Sequence, residues 1–162
     1  MRAPPATNLS VREVATLFSE KMPHGRDIGM VIDKLDRDKT RIRLPPNPTL
    51  AGDPAGNFFF PGVLFSVADS ACGLAVFQAL NRFIPIATLD MRIDHLAPAT
   101  MNADLIAEAH CYRLTKQIAF ARCDLLSGKN ELLVATAVGT FMMSSNAEKG
   151  DALAQIVREL AE

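Results

Sequence analysis

Asp69 is the one charged residue between Pro61 and Asn81, in the run P-G-V-L-F-S-V-A-D-S-A-C-G-L-A-V-F-Q-A-L-N. Cys72 is the only other side chain there that can ionise. A helix that is apolar nearly all round is a core helix. Burying an unpartnered polar group costs roughly 2–7 kcal/mol. Asp69 is therefore the first candidate for chemistry, as a general base or a nucleophile. A structural use is the alternative, as a cap or as the partner of a backbone amide. Gly62, Ser66, Asp69, Ser70 and Gly73 recur at helical spacing, so small and polar residues share one face. Such a face lets a ligand or another backbone come close.

The remaining chemistry-bearing residues form no second constellation. Cys72, Cys111 and Cys123 make no CxxC pair and no His-flanked metal pattern, and each reads as a buried thiol. His24 falls in a turn, His95 at a strand end where packing is the default, and His110 on a polar strand face. Neither a catalytic triad nor a metal site follows from them. Arg92 and Asp94 share a strand face and read as a surface ion pair. Phe58, Phe59 and Phe60 are either core packing at the helix entry or a wall beside Asp69.

The elements that must position Asp69 follow from periodicity. S-x-x-E at Ser10–Glu13 is a capping box, and Val11, Val14, Leu17 and Phe18 continue it as an amphipathic helix over 10–22. Pro23 and Gly25 should stop that helix. Two strands, 28–36 and 40–44, flank the polar turn Asp36-Arg37-Asp38-Lys39 as a hairpin. Four prolines and two glycines between Pro45 and Asn57 mark a loop leading into the helix over 61–80. Residues 87–94 alternate, with Ala87, Leu89, Met91 and Ile93 on the buried face and Thr88, Asp90, Arg92 and Asp94 on the polar one. Strands over 105–114, 118–126 and 132–143 follow, the last two joined by the tight turn Ser127-Gly128-Lys129-Asn130. Leu153, Ile156, Val157 and Leu160 predict a C-terminal surface helix. The order is that of an α+β layered fold.

At 162 residues the chain reads as one domain with a core of ordinary size. A net charge of −1 and a pI near 6.3 supply no basic surplus for nucleic acid or an anionic membrane. Ser66, Asp69, Ser70 and Gln78 interrupt the longest apolar run, which makes it a poor membrane span. M-R-A-P-P-A-T-N-L-S has no apolar signal core. These features predict a cytoplasmic protein.

P-G-V-L-F-S-V-A-D-S-A-C-G-L-A, then A-T-L-D-M-R-I-D-H-L-A-P-A, then A-T-A-V-G-T-F resemble the hotdog-fold acyl-CoA thioesterases, in the branch typified by phenylacetate-degradation thioesterases. The similarity runs over about 28–143. It implies a hotdog domain there, with an N-terminal arm and helix over 1–27 and a C-terminal helix over 144–162 packed on the same body. It implies a long central helix wrapped by a curved antiparallel sheet. It also implies a homodimer joined edge to edge, or a homotetramer formed as a dimer of dimers, with active sites at the subunit interface.

The resemblance further implies hydrolysis of acyl-CoA thioesters with Asp69 as the carboxylate. Thr88 would help place the water from across the dimer interface. No cofactor is implied, because CoA is part of the substrate; Arg113 or Lys116 are candidates for its phosphates. Asn57, Phe59, Phe60, Ser66 and Ser70 are expected around the substrate.

One departure stands out. The family carries His-Gly-Gly before the helix, and its first glycine donates an N–H to the thioester oxygen. The aligned residues here are Phe60-Pro61-Gly62, and Pro61 has no N–H. Gly62 in the first helical turn is the expected replacement; the Asn57 side chain and the amides of Phe59 or Phe60 are the others. The alternative is a non-catalytic hotdog protein that binds acyl-thioesters or small apolar ligands. F-P-G is also similar to hotdog dehydratases, but those need a catalytic His, and none lies nearby.

Overall fold

The computed structural model of the chain describes residues 22–35, 39–80 and 84–143. The helices predicted over 10–22 and near the C-terminus lie outside the described residues, save Met22.

Pro23 starts a helix of its own, which the sequence reading did not anticipate. Helix α1 spans Pro23–Ile28, with proline in the first turn, where its missing N–H costs nothing. Gly29, at φ 82°, ends it, and its N–H donates to the Arg26 carbonyl. The strand expected from residue 28 therefore begins later. β1 (Val31–Leu35) and β2 (Thr40–Leu44) pair antiparallel, as the hairpin pattern predicts.

Helix α2 covers Pro61–Leu80. β3 (Ile86–His95), β4 (Leu105–Leu114), β5 (Ile118–Ser127) and β6 (Leu132–Met143) complete one six-stranded sheet in the order β1-β2-β4-β5-β6-β3. Every neighbouring pair is antiparallel. The β5–β6 turn uses Gly128 at φ 78° and is closed by the Glu131 N–H on the Gly128 carbonyl.

The sheet's inner face explains how close α2 lies. Ala107, Ala109, Ala119, Ala121, Ala135 and Ala137 are all buried beneath it. Larger side chains (Ile42, Leu44, Leu105, Leu125 and Phe141) fill the space around this alanine floor. From the helix, Leu64, Val67, Ala68, Ala71, Leu74 and Val76 complete the core. Cys72 and Cys123 are fully buried within it, and Cys111 is half-buried. A hydrogen bond with Cys72, followed by burial, holds the Cys123 thiol well above its ordinary range.

By length and composition alone α2 could cross a membrane, yet 56% of its most apolar window is buried inside the fold. One polar contact fixes its far end. Thr40, wholly buried on β2, donates through Oγ1 to Gln78 Oε1 at 2.8 Å.

Candidate active site

Asp69 is half-buried rather than enclosed, which corrects the expectation of a fully buried acid. Its face of α2 carries half-buried Ser66 and Ser70 beside it and exposed Gly62 two turns earlier. The last member of the stripe, Gly73, is buried, and Ile86 Cδ1 lies 3.7 Å from where a Cβ would be. The small-residue face is open around Asp69 and closed beyond it.

Thr88 Oγ1 donates to Asp69 Oδ1 at 2.9 Å within the same chain. Two expectations change here: Thr88 meets its own Asp69 rather than one across an interface, and it leaves the outer polar face. The cause is a β-bulge. β3 pairs with β6 as Ile86↔Met143, Ala87↔Met142 and Thr88↔Phe141, then resumes as Asp90↔Thr140 and Met91↔Gly139. Leu89 is the extra residue. Met143, Phe141, Gly139 and Ala137 all belong to the buried face of β6. Ile86 and Thr88 therefore face the helix before the bulge, and Met91 and Ile93 face it afterwards. Side chains alternate along a strand, so one inserted residue exchanges the two faces. Leu89 itself, expected in the core, is 55% exposed.

The amides at the start of α2 can be accounted for one by one. The first turn of a helix leaves its N–H groups without intrahelical partners. Phe59 donates to the Ala99 carbonyl, Phe60 to Leu50, and Val63 to Phe60. Pro61 has none to donate. That leaves Gly62 as the one first-turn amide without a partner among the described residues. The Phe59 and Phe60 amides, considered as replacement donors, are thus occupied.

Asn57 is occupied as well. Asp53 accepts from the Asn57 N–H at 2.8 Å, from Asn57 Nδ2 at 2.9 Å and from the Phe58 N–H at 2.9 Å. These bonds, the Phe58 amide foremost, hold the Asp53 carboxyl below its ordinary range. Asn57 is a loop-closing residue here.

The three phenylalanines divide. Phe59 is a core residue, 3% exposed. Phe60 is 55% exposed, and its ring lies over Gly62, with Cε1 2.8 Å from where a Cβ would stand. Phe58 is 38% exposed and lines a cleft of about 450 Å³ with Pro61, Leu64, Leu96 and Pro98. His95, expected to be packed away, is exposed and borders the same cleft. The cleft adjoins Gly62 but does not reach Asp69. Gly62 and Asp69 are seven residues apart on one helix, about 10 Å along its axis. Arg92 and Asp94 form the expected exposed pair at 2.9 Å. Among the described residues no group of three or more His, Cys, Asp or Glu could hold a metal ion.

A long helix laid on a curved, six-stranded antiparallel sheet in this strand order is the hotdog fold. The model of the thioesterase superfamily matches residues 56–134, a span that includes Gly62, Asp69 and Thr88. The chain belongs to the thioesterase superfamily. It is 26% identical over 147 residues to the medium/long-chain acyl-CoA thioesterase YigI of Escherichia coli, covering 83% of this chain and 94% of that one. A crystal structure from Pseudomonas aeruginosa is 28% identical with a TM-score of 0.73, covering 82% of this chain and 98% of the other. One from Shewanella oneidensis, described as related to the thioesterase superfamily, has a TM-score of 0.75 at 22% identity, covering 83% and 95%.

Proposed function

We propose that the protein hydrolyses acyl-CoA thioesters, with medium and long acyl chains as the first substrates to try because YigI carries that name. The observation that carries this reading is a half-open carboxylate on an otherwise apolar helix, held at one oxygen by Thr88 and free at the other to meet water. In the general-base route Asp69 takes a proton from water. The hydroxide adds to the thioester carbon, the oxyanion accepts the Gly62 N–H, and the C–S bond breaks to give acid and thiol. In the nucleophile route the Asp69 carboxylate adds to the thioester carbon, the C–S bond breaks, and the departing thiol leaves a mixed anhydride, which water then opens at the aspartyl carbonyl. Single turnover in ¹⁸O-water separates them, since only the second route labels Asp69. Neither route calls on a metal or redox cofactor, and CoA arrives as part of the substrate.

Two helical turns separate Gly62 from Asp69, too far for both to serve one carbonyl. A second copy of the chain supplies the missing half. β3 is the surface that supports this: among the described residues it is a ten-residue edge strand paired with β6 alone, and its outer edge has no backbone partner there.

Two features favour a second reading, a binding protein without turnover. Pro61 removes one donor, a loss typically worth about 10²–10³ in rate, and Phe60 lies over the donor that remains. Thiol release from a panel of aryl- and alkyl-CoA esters, by wild type and Asp69→Asn, decides between them. Turnover that falls at least about a hundredfold in the variant is expected. Binding without turnover on every ester would favour the second reading.

A further inference from the structure

We infer that the outer face of the sheet is a self-association surface, on which two copies of the chain meet back to back with β5 lying on β5. It is separate from edge pairing at β3 and does not rest on the thioesterase reading. The side chains that leave β5 on that face are, in order, Ile118, Phe120, Arg122, Asp124 and Leu126. Alternation puts them across the sheet from the buried Ala119, Ala121, Cys123 and Leu125. Apolar residues thus stand on either side of one cation and one anion. A half turn about a line crossing the strand at Cys123 lays this pattern on its own complement.

Neighbouring strands repeat the pattern in register. Arg122 lies opposite His110 on β4 and Val138 on β6, and Val138 lies opposite Arg92 on β3. One step along, Asp124 lies opposite Glu108 and Thr136, and Thr136 opposite Asp94. A basic row and an acidic row therefore run side by side across the sheet. Beyond the basic row stand Phe120 and the exposed Tyr112, with ring centroids 6.3 Å apart. Beyond the acidic row, Leu126 lies opposite the exposed Leu133. The half turn sets basic on acidic and aromatic on aliphatic, and this match of the face to itself selects a second copy as its occupant. The central charges are also unmatched within one chain. Glu108 and Asp124 are like charges directly opposite, which destabilises a sheet. Arg41 pairs with Glu108, but the side chains of Arg122 and Asp124 have no partner among the described residues. In the back-to-back pair each Arg122 meets the Asp124 of the other copy.

The test is assembly mass by sedimentation velocity for wild type, Arg122→Asp and Asp124→Arg. Both positions are exposed, so neither change should disturb the fold. Each sets like charges against each other twice in the symmetric pair. The contact should weaken by about a hundredfold or more, and the mass should halve whatever number edge pairing sets. Mixing the two variants restores two contacts of opposite charge and should recover the wild-type mass. Tyr112 gives a second readout, because the chain has one tyrosine and no tryptophan. Acrylamide should quench its emission more in each variant than in wild type or in the mixture. Variants that melt like wild type and keep its mass would overturn the proposal, and so would a mixture that stays at half mass. A wild-type Tyr112 as open to acrylamide as in the variants would show the face uncovered. A shielded Tyr112 that neither variant opens would put something other than a second copy there. Either result overturns the assignment.

Discussion

Replacing Thr88 by Val removes one oxygen and keeps a β-branched side chain that suits a strand. The Thr88–Asp69 bond, 2.9 Å long, is then lost. Hydrogen bonds to charged groups are worth about 1.5–3 kcal/mol. Thr88 is exposed and Asp69 half-buried, so the lower end applies. About 1.5 kcal/mol is about a tenfold effect on kcat/KM. Thr88→Ser keeps the hydroxyl and should stay within about threefold. Deleting Leu89 is the control, because it removes the bulge and leaves Thr88 opposite Phe141. The deletion leaves Thr88↔Phe141 followed directly by Asp90↔Thr140, a regular ladder with Thr88 still facing the helix, so activity should stay within about threefold of wild type. Steady-state hydrolysis of the best ester, with melting curves to show that each variant is folded, reads all three. A folded Leu89 deletion as impaired as Thr88→Val would refute the view that pairing with Phe141 aims Thr88 at the helix. Full activity in Thr88→Val would refute the hydroxyl's role.

Thr40→Val should cost about 1–3 kcal/mol by leaving Gln78 Oε1 without its donor; urea unfolding measures it, and an unchanged midpoint would show that water replaces the hydroxyl. Gly62→Ala should add up to about 1 kcal/mol through helix propensity, because the exposed Phe60 ring can swing away from the new methyl. The same methyl crowds the amide, so hydrolysis should fall by about tenfold or more; a melting point that rises with kcat/KM unchanged would remove Gly62 from the site. The depressed Asp53 carboxyl steadies the entry loop while it is ionised. Its contribution is complete above its ordinary value of 3.8 and is lost as pH falls through the lower folded value. Comparing the acid unfolding of wild type and Asp53→Ala should show the two curves converging only below that value.

Much of this architecture was legible because burial imposes period. The central helix and the four later strands were found to within a residue or two from apolar spacing and turn residues. Asp69 stood out because one charge in an apolar helix needs a reason. The misses have a common cause in backbone geometry. Pro23 was read only as a stop, yet proline also suits a first helical turn and opens Pro23–Ile28. Thr88 read as lying on the outer face because strict alternation was assumed across Leu89. Leu89 has no glycine or proline neighbour to mark the bulge. Asn57 and Phe59 were assigned by proximity to the helix entry, whereas their fates depend on Asp53 and on Ala99, which is distant in the chain.

The spacing between Gly62 and Asp69 has a consequence for dilution. One helix cannot bring both groups to one carbonyl, so the proposed mechanism requires a pair of chains as its catalytic unit. Specific activity then measures association: it holds constant while the pairs persist and falls in proportion to them as they come apart. Two inactive variants, one altered at Gly62 and one at Asp69, would restore part of that activity when mixed, because half the sites in a mixed pair combine an intact amide with an intact carboxylate.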